Sequence, residues 1–309
     1  MMRTLIACIL IGIAMAFVSG CGERSETRPE GPLRVVVTLP PLKGLVEPLL
    51  PEGSEVKVLL PPGANHHGWQ PTPSDVASLS RADLVVYIGR GLEPIVVRHL
   101  NRHKTPWRRD VAFADLLGIE LGHDHHHDHD HHDGCDHGDE DPHLWLDPVL
   151  VKQFVEKLGP IVLEAARDAG YEFDAGAANA LAMRIDGIDA EYRDRLAPLQ
   201  GAVIVTHHNA WSRLTDRYGL EVAEVLRPVD TAEPSAGDLE RAARAVREAG
   251  VRGVFLEPQY GGRDAGVIRR VAGEAGVAVG VLDPHGDGDW FAMMRRNLDE
   301  LVRTLGGST

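Results

Sequence analysis

Histidines and one aspartate occupy the positions best suited to chemistry, because each follows a predicted strand or precedes a predicted helix. They are His66, His67, His143, His207, His208 and Asp283. Histidine nitrogen and carboxylate oxygen are the ligands that borderline divalent metals take in proteins. Three histidines and one aspartate would fill a tetrahedral shell. Since these residues come from both halves of the chain, we expect the metal to lie in a cleft between two lobes.

A second group of histidines lies in residues 122–141, which hold eight histidines, eight acidic residues and one cysteine. This composition cannot bury enough apolar surface to fold alone, so we expect a disordered insertion. Ordering flexible histidines costs entropy, which predicts a low-affinity metal-collecting loop rather than the main site. A solvated tract without any function is the alternative. The histidines concerned are His123, His125, His126, His127, His129, His131, His132 and His137.

Short β-branched runs alternate with helical patterns, an order typical of mostly parallel sheets. The predicted strands cover residues 33–39, 55–60, 84–88, 202–205, 221–226, 253–256 and 277–282. We therefore expect an α/β fold with two βα lobes, residues 33–172 and 200–309. A long helical pattern over residues 173–199 lies between them. In such sheets ligands bind at the carboxyl ends of the strands, which is where the pairs of histidines stand.

Four segments resemble motifs of the metal-binding solute receptors of ABC importers, in that family's order. They are residues 62–75 (PGANHHGWQPTPSD), 141–148 (DPHLWLDP), 205–211 (VTHHNAW) and 282–286 (LDPHG). The resemblance spans nearly the whole mature chain, and four ordered motifs are specific where one alone would be weak. Residues 255–259 (FLEPQ) look like a further family signature, which we interpret as structural.

The resemblance implies one metal ligand from each motif. These ligands are His67, His143, His208 and Asp283. The first and third motifs carry a doubled histidine, so His66 and His207 stay rival ligands. Neighbours on an extended segment point to opposite sides, so both members of a pair cannot easily face one metal. His285 stands where the family usually has an apolar residue, and it could compete with Asp283.

The family resemblance also implies the architecture and the function. The lobes would be joined by one long rigid bridging helix, and the receptor would deliver one divalent metal to an ABC permease and its ATPase. No catalytic residue and no enzyme activity are implied. Manganese receptors of this type carry a carboxylate where this chain has His208, and imidazole suits zinc. That histidine and the His-rich insertion favour a ZnuA-like Zn²⁺ receptor over Mn²⁺, with copper and nickel left open.

The N-terminus reads as a secretory signal over residues 1–20, with Arg3 followed by an apolar run of about 14 residues. This run is short of the about 20 residues that a transmembrane helix needs. The residues before Cys21 resemble a lipobox, which implies cleavage after Gly20 and a lipid on Cys21. Residues 22–32 then form a flexible tether. We expect an extracytoplasmic lipoprotein, periplasmic or on the cell surface; an uncleaved anchor is the alternative.

Composition argues against one class of binding partner. The chain has 309 residues and a formal net charge of −14, which argues against nucleic acid because such partners select basic surfaces. Its three cysteines make no disulfide framework, and we expect a monomer. The rival functions are a manganese receptor or a metal-buffering adhesin of the same fold and, with water as fourth ligand, a zinc hydrolase. A siderophore receptor is disfavoured by the inward histidines.

Acid should weaken metal binding, because the histidine ligands must be neutral and the aspartate ionised. An ordinary histidine titrates near pH 6.5. The sequence therefore predicts that zinc affinity falls between pH 7.5 and 5.5.

Overall fold

The computed structural model describes residues 28–119, 141–172, 174–227, 234–260 and 263–306. Within them the chain forms two four-stranded parallel sheets, which confirms the α/β fold class. The strands are β1 Arg34–Val37, β2 Glu55–Val58, β3 Leu84–Tyr87, β4 Arg109–Ala112, β5 Val203–His208, β6 Glu221–Arg227, β7 Gly253–Leu256 and β8 Ala278–Val281. The strand orders β2-β1-β3-β4 and β6-β5-β7-β8 repeat one topology in the two lobes.

Helices cover the sheets and connect the strands. In the described ranges they are α1 Pro40–Val46, α2 Pro73–Arg81, α3 Pro94–Arg102, α4 Phe113–Leu117, α5 Pro148–Asp168, α6 Ala177–Leu196, α7 Ser212–Tyr218, α8 Ala236–Glu248, α9 Arg263–Ala275 and α10 Trp290–Gly306. Ser235 and Asp238 form a capping box at the start of α8, in which each side chain accepts from the backbone N–H of the other residue. Asp147 begins α5 by accepting hydrogen bonds from the backbone N–H groups of Val149 and Leu150.

The apolar core follows the alternation of the strands. Val35 and Val37 in β1 face a large core shared by the two lobes, whereas Val36 faces a small cluster on the outer side of the N-terminal sheet. In β5, Ile204 likewise joins the shared core and Val205 joins a separate C-terminal cluster. Both faces of each sheet are therefore covered, as parallel sheets require.

A long helix, α6, joins the two lobes, as expected. Its buried residues Leu181, Ile185, Ile188 and Tyr192 recur at helical spacing. They pack against α5 on one side and against α10 on the other. The Tyr192 hydroxyl donates to the backbone oxygen of Met294 at 2.7 Å, which ties the helix to the C-terminal lobe. A 3₁₀ turn, Ala197–Leu199, continues α6 toward β5.

The lobes also touch directly through two buried tryptophans. The indole N–H of Trp145 donates to the Pro284 backbone oxygen at 2.6 Å, and that of Trp290 donates to the Trp145 backbone oxygen at 2.8 Å. Gly44 in α1 lies so close to the loop before α10 that a Cβ would stand 2.6 Å from the backbone nitrogen of Trp290. The back of the cleft is thus closed by tight packing.

One strand and one short helix differ from the expectation. Residues 111–121 received no assignment from the sequence, and the structure places the end of β4 and α4 there. The β4 segment RDVA has only two apolar residues, too few to show a period. The predicted lobe and helix boundaries, 33–172, 173–199 and 200–309, stay predictions.

Several expectations fall outside the described residues: the signal over 1–20, Cys21, and all eight histidines of the His-rich insertion. The end of the expected tether is described, and there the Arg28 guanidinium binds Asp83 at 2.8 and 2.9 Å. Among the described helices, none combines the length and the apolarity needed to cross a bilayer.

Candidate metal centre

Four histidines meet in the cleft between the lobes, and we name them the four-histidine cluster: His66, His67, His143 and His208. One ring nitrogen from each lies within 4.8 Å of those of the other three. The Nε2 atom of His143 is 3.1 Å from that of His66 and 3.2 Å from that of His208. Nitrogens around a tetrahedral zinc are about 3.3 Å apart, given Zn–N bonds of about 2.0–2.1 Å. The two distances from His143 therefore match the spacing of a zinc site, and the remaining nitrogens of the cluster lie within 4.8 Å.

His143 is held by Asp141. Its Nδ1 lies 2.6 Å from Asp141 Oδ1, and its backbone N–H donates to the same oxygen at 2.8 Å. Asp141 also accepts from the hydroxyl of Ser212 at the start of α7, at 2.6 Å. Because both Asp141 and His143 are buried, the carboxylate fixes the imidazole so that Nε2 faces the cluster.

His208 is held in the same manner by Glu257. It is the last residue of β5, and its Nδ1 lies 2.5 Å from Glu257 Oε1 at the end of β7. The same oxygen accepts from the indole N–H of Trp211 at 3.1 Å. The neighbouring strands β5 and β7 therefore bring ligand and carboxylate together, and Nε2 of His208 again faces the cluster.

His66 and His67 lie on the loop between β2 and α2, with no helix or strand to hold them. The backbone N–H of His67 donates to Asn65 Oδ1 at 2.9 Å, and the Asn65 amide donates to the Tyr260 hydroxyl at 3.1 Å. The latter bond crosses between the lobes. The loop thus folds over the cleft and contributes both members of its pair, because it is not an extended segment whose side chains alternate.

The expected fourth ligand, Asp283, is not in the cluster, and His66 is there instead. Asp283 Oδ1 accepts from the Gln259 amide at 2.9 Å and from the backbone N–H of His285 at 3.0 Å. The backbone N–H of Asp283 donates to the Asn297 side-chain oxygen, and the Asn297 side-chain amide donates to the backbone oxygen of Asp283. The structure thus brings His66 together with three of the expected ligands and places Asp283 outside the cluster, and the ligand role of Asp283 stays a prediction.

The two remaining candidate ligands lie outside the cluster as well. His207 points to the other side of β5, where its Nδ1 accepts from the Glu257 backbone N–H at 3.2 Å and its ring packs on Tyr260. His285 contacts the cluster from behind, with its Nε2 2.7 Å from Nδ1 of His66. Alternation along the strand separates His207 from His208.

Burial and repulsion from neighbouring rings keep His66 and His67 neutral. Burial, helped by the neighbouring rings of His143 and His208, lowers the pKa of His67 to about 2. The pKa of His66 is also lowered well below its usual value, by burial first and then by His143 and His285. Neutral imidazole is the form that binds metal.

The two supporting carboxylates differ in their pKa. Burial opposes the ionisation of Asp141, but the charge and hydrogen bonds of His143 outweigh it and lower its pKa to about 2. Burial raises the pKa of Glu257 to about 7 despite the hydrogen bond from Trp211. Sequence reasoning did not find either role. Asp141 was visible as the acid two residues before His143, and Glu257 stood in a segment interpreted as structural.

Comparisons with known proteins agree with this fold. The zinc-binding protein AdcA of Streptococcus pyogenes serotype M3 is 26% identical over 98% of this chain, which spans 62% of AdcA. The high-affinity zinc uptake system protein ZnuA of Bacillus subtilis is 27% identical, with 96% of each chain covered. The structure of the periplasmic zinc-binding protein TroA of Treponema pallidum superimposes with a TM-score of 0.70 at 24% identity, covering 89% of this chain and 99% of TroA.

The match to TroA shows a shared fold. Residues 35–304 also match the sequence pattern of a family whose members are components of uptake complexes. That range contains every residue of the four-histidine cluster. The chain belongs to the family of the periplasmic component A of zinc-uptake complexes.

Proposed function

We propose that this protein captures Zn²⁺ outside the cytoplasm in the four-histidine cluster and delivers it to an ABC permease and its ATPase. The observation that carries the proposal is the convergence of four ring nitrogens, within 4.8 Å of one another, from both lobes. Two of these rings are backed by buried carboxylates, Asp141 and Glu257, which is how proteins orient histidine ligands.

Zinc is favoured over manganese by the chemistry of the cluster. All four groups are imidazoles, which suit zinc, whereas manganese prefers carboxylate and water. The relatives AdcA and ZnuA are named for zinc binding and zinc uptake. Their names support zinc as the cargo of this chain.

The first experiment removes the His-rich insertion and keeps the cluster. Residues 122–140 are deleted, and Asp141 is retained because it holds His143. The metal-free soluble protein is then titrated by calorimetry with zinc and, in a matched run, with manganese. We expect one tight zinc site and much weaker manganese binding.

The control for this titration is the same deletion carrying His143→Ala, which removes the ring at the centre of the cluster. It should lose the tight site. If the deletion alone already lacks tight zinc binding, the site lies in the His-rich insertion and the proposal fails. If His143→Ala binds zinc as tightly as its parent, the cluster is not the site.

Membrane attachment through a lipid on Cys21 belongs to the same proposal. A relative from Streptococcus pneumoniae is named a zinc-binding lipoprotein. Mass spectrometry of the membrane fraction should find the lipid on Cys21, and Cys21→Ala should release the protein. The proposal also includes a monomeric receptor in solution, which light scattering can check.

A further inference from the structure

We propose that the amino end of the N-terminal sheet is a membrane-docking surface, which binds anionic lipid headgroups and holds the tethered receptor with its metal cleft facing away from the bilayer. This inference rests on the part of the proposed function that attaches the chain through a lipid on Cys21. It adds a second contact with the membrane, made by the folded protein itself.

The tether reaches the folded protein at this end of the sheet. The Arg28 guanidinium binds Asp83, the residue before β3, and donates to the backbone oxygen of Pro32 at 2.9 Å. The backbone N–H of Arg34 also donates to the Asp83 carboxylate, at 2.8 Å. The backbone oxygen of Asp83 accepts from the N–H of Arg109 at 3.0 Å. The tether therefore ends where β1, β3 and β4 begin.

The rest of the tether is too short to let this end move far from the membrane. Arg28 is seven residues after Cys21, and seven residues span at most about 25 Å when fully extended. A compact chain of 309 residues is about 50 Å across. A lipid on Cys21 therefore keeps the amino end of the sheet within about half a molecular diameter of the bilayer surface.

Positive charge is concentrated at this end, although the chain as a whole has a net charge of −14. Residues 98–109 (RHLNRHKTPWRR) hold five arginines and lysines and no acidic residue. They form the second half of α3 and the loop before β4. The end of α2 lies beside them, because the Ser80 hydroxyl is 3.1 Å from Nε2 of His99. Two helix ends and one loop thus join into a single basic surface.

The cations of this surface fall into two groups. Arg28, Arg108 and Arg109 are each paired with an aspartate. Arg108 is buried and also donates to the backbone oxygen of His103 at 2.8 Å, which fixes the loop before β4. Four other cations are exposed, and no ion pair within the described ranges includes them. We name these four the basic end: Arg81, Arg98, Arg102 and Lys104.

The acidic residues at the amino end of the sheet lie toward its other edge. The strand order β2-β1-β3-β4 puts β2 at one edge and β4 at the other. Glu55 begins β2 and Glu52 stands just before it, whereas the loop before β4 carries Lys104. The tether ends at Asp83, next to β4, and hence on the basic side. Anionic headgroups attract such basic clusters beside a membrane anchor.

A partly exposed tryptophan, Trp107, lies within the basic loop. Tryptophan is enriched where proteins meet the headgroup region, because its ring is apolar and its N–H is polar. Trp69 is also partly exposed, but it lies on the loop after β2, at the carboxyl end of the sheet. The two rings mark opposite ends of the lobe and can report which end faces the lipid. The remaining tryptophans are buried: Trp145, Trp211 and Trp290.

Docking through the basic end orients the whole receptor. All strands of the N-terminal sheet are parallel, and the loop that carries His66 and His67 follows the carboxyl end of β2. The cleft therefore faces away from the bilayer in the docked state, which suits capture of metal. Delivery to a permease then requires the lobe to leave the lipid surface. A weak contact is sufficient, because a short tether gives an effective concentration of about millimolar.

The test uses the lipoprotein itself, with the lipid on Cys21 verified by mass spectrometry, in vesicles of equal parts phosphatidylglycerol and phosphatidylcholine. Lipids brominated on the acyl chain close to the headgroup quench the fluorescence of any tryptophan that touches the membrane. We expect quenching that Trp107→Phe abolishes and Trp69→Phe leaves unchanged. Vesicles of phosphatidylcholine alone, or salt at about 1 M, where the Debye length falls to about 3 Å, should remove most of it.

Charge reversal tests the basic end directly. Arg102→Glu combined with Lys104→Glu should lower the ratio of docked to undocked protein at least tenfold, since each basic residue near an anionic surface contributes roughly fivefold. The matched control is Arg269→Glu with Arg270→Glu, two exposed arginines on α9 of the other lobe, and it should keep the quenching. Both double variants should keep the parental zinc affinity, which shows that they fold.

The outcomes separate this inference from the proposed function. A chain without lipid on Cys21 contradicts membrane attachment and this inference with it, whereas zinc capture is tested apart from both. A lipidated protein whose Trp107 is not quenched overturns the docking surface alone. Quenching that is equal in phosphatidylcholine vesicles, or that survives the reversal of Arg102 and Lys104, also overturns it. Quenching of Trp69 in place of Trp107 would put the cleft against the bilayer, which is the opposite orientation.

Discussion

The two lobes repeat one sheet topology, and each buries a glutamate where its first and third strands end. In the N-terminal lobe, Glu93 accepts from the Thr38 hydroxyl at 2.7 Å and from two backbone N–H groups at 3.0 Å. In the C-terminal lobe, Glu257 lies 2.5 Å from Nδ1 of His208. Equivalent positions in the two lobes thus each hold a buried carboxylate, but the two carboxylates have different neighbours.

The difference shows that a raised pKa does not by itself mark a functional site. Burial raises the pKa of both Glu93 and Glu257 to about 7. Glu93 is satisfied by groups of its own lobe and closes the loop before α3. Glu257 supports a ring whose other nitrogen faces His143 of the opposite lobe. The residues beside each carboxylate therefore decide whether it stabilises the fold or supports a metal ligand, and the strand order determines which residues those are.

Removing the ligand at the C-terminal lobe should have the largest effect. His208→Ala takes away one cluster nitrogen and leaves Glu257 without its buried partner. We expect zinc affinity to fall by more than the 10- to 100-fold typical of groups behind a ligand. Calorimetry on the protein lacking residues 122–140 measures it. The matched control is His207→Ala, the neighbour on the opposite side of β5; a greater loss there than for His208→Ala would reverse the assignment.

Substitutions of the two glutamates should differ in their effect on zinc affinity. Glu257→Gln keeps the shape but weakens the hold on His208, so zinc affinity should fall 10- to 100-fold. Glu93→Gln makes the same chemical change in the other lobe and should alter the affinity by less than threefold. Chelator competition measures both. Equal losses of zinc affinity in the two variants would show that Glu257 contributes no more to metal binding than Glu93 does.

The sequence predicts most of the fold, because β-branched runs and helical periods repeat along the chain. It misses β4, whose segment RDVA has too few apolar residues to show a period. The family motifs also select His143 and His208, and the structure brings both into the four-histidine cluster. For these two, local chemistry and geometry agree.

The other half of the site depends on contacts that no local pattern contains. The first motif selects His67 and leaves His66 as a rival, and the structure brings both rings into the cluster because they share a loop without alternation. Asp283 lies outside the cluster and accepts a hydrogen bond from Gln259, which follows a different strand. Sequence motifs identify candidate ligands, but the competition among them is settled by neighbours that are distant in the chain.

The pH dependence of the unfolding free energy should report the ionisation of Glu93 when the wild type is compared with Glu93→Gln. Its pKa is raised from 4.5 to about 7, so between these values the folded protein holds a proton that the unfolded chain releases. Stability therefore falls as pH rises through this window. Relative to Glu93→Gln, the wild type should lose about 2 kcal/mol of unfolding free energy between pH 5.5 and 7. Urea denaturation of the metal-free proteins measures it, and parallel profiles would contradict the prediction.

The smallest effect should come from the partner of Glu93. Thr38 is fully buried, and its hydroxyl donates to the Glu93 carboxylate at 2.7 Å. Thr38→Val removes this donor with little change of shape, and we expect a loss of about 1 kcal/mol in unfolding free energy. The loss should grow above pH 7, where Glu93 is ionised and needs the donor most, while zinc affinity stays unchanged.

Thr38→Ser restores the donor, and its pH dependence should return to that of the wild type. The pair of variants separates the hydrogen bond from the loss of a methyl group, because valine keeps the methyl and serine keeps the hydroxyl. A loss for Thr38→Val that is the same at pH 5.5 and pH 8 would show that Glu93 does not ionise in the folded lobe. In that case Glu93 would stay protonated and serve its lobe as a neutral hydrogen-bonding group.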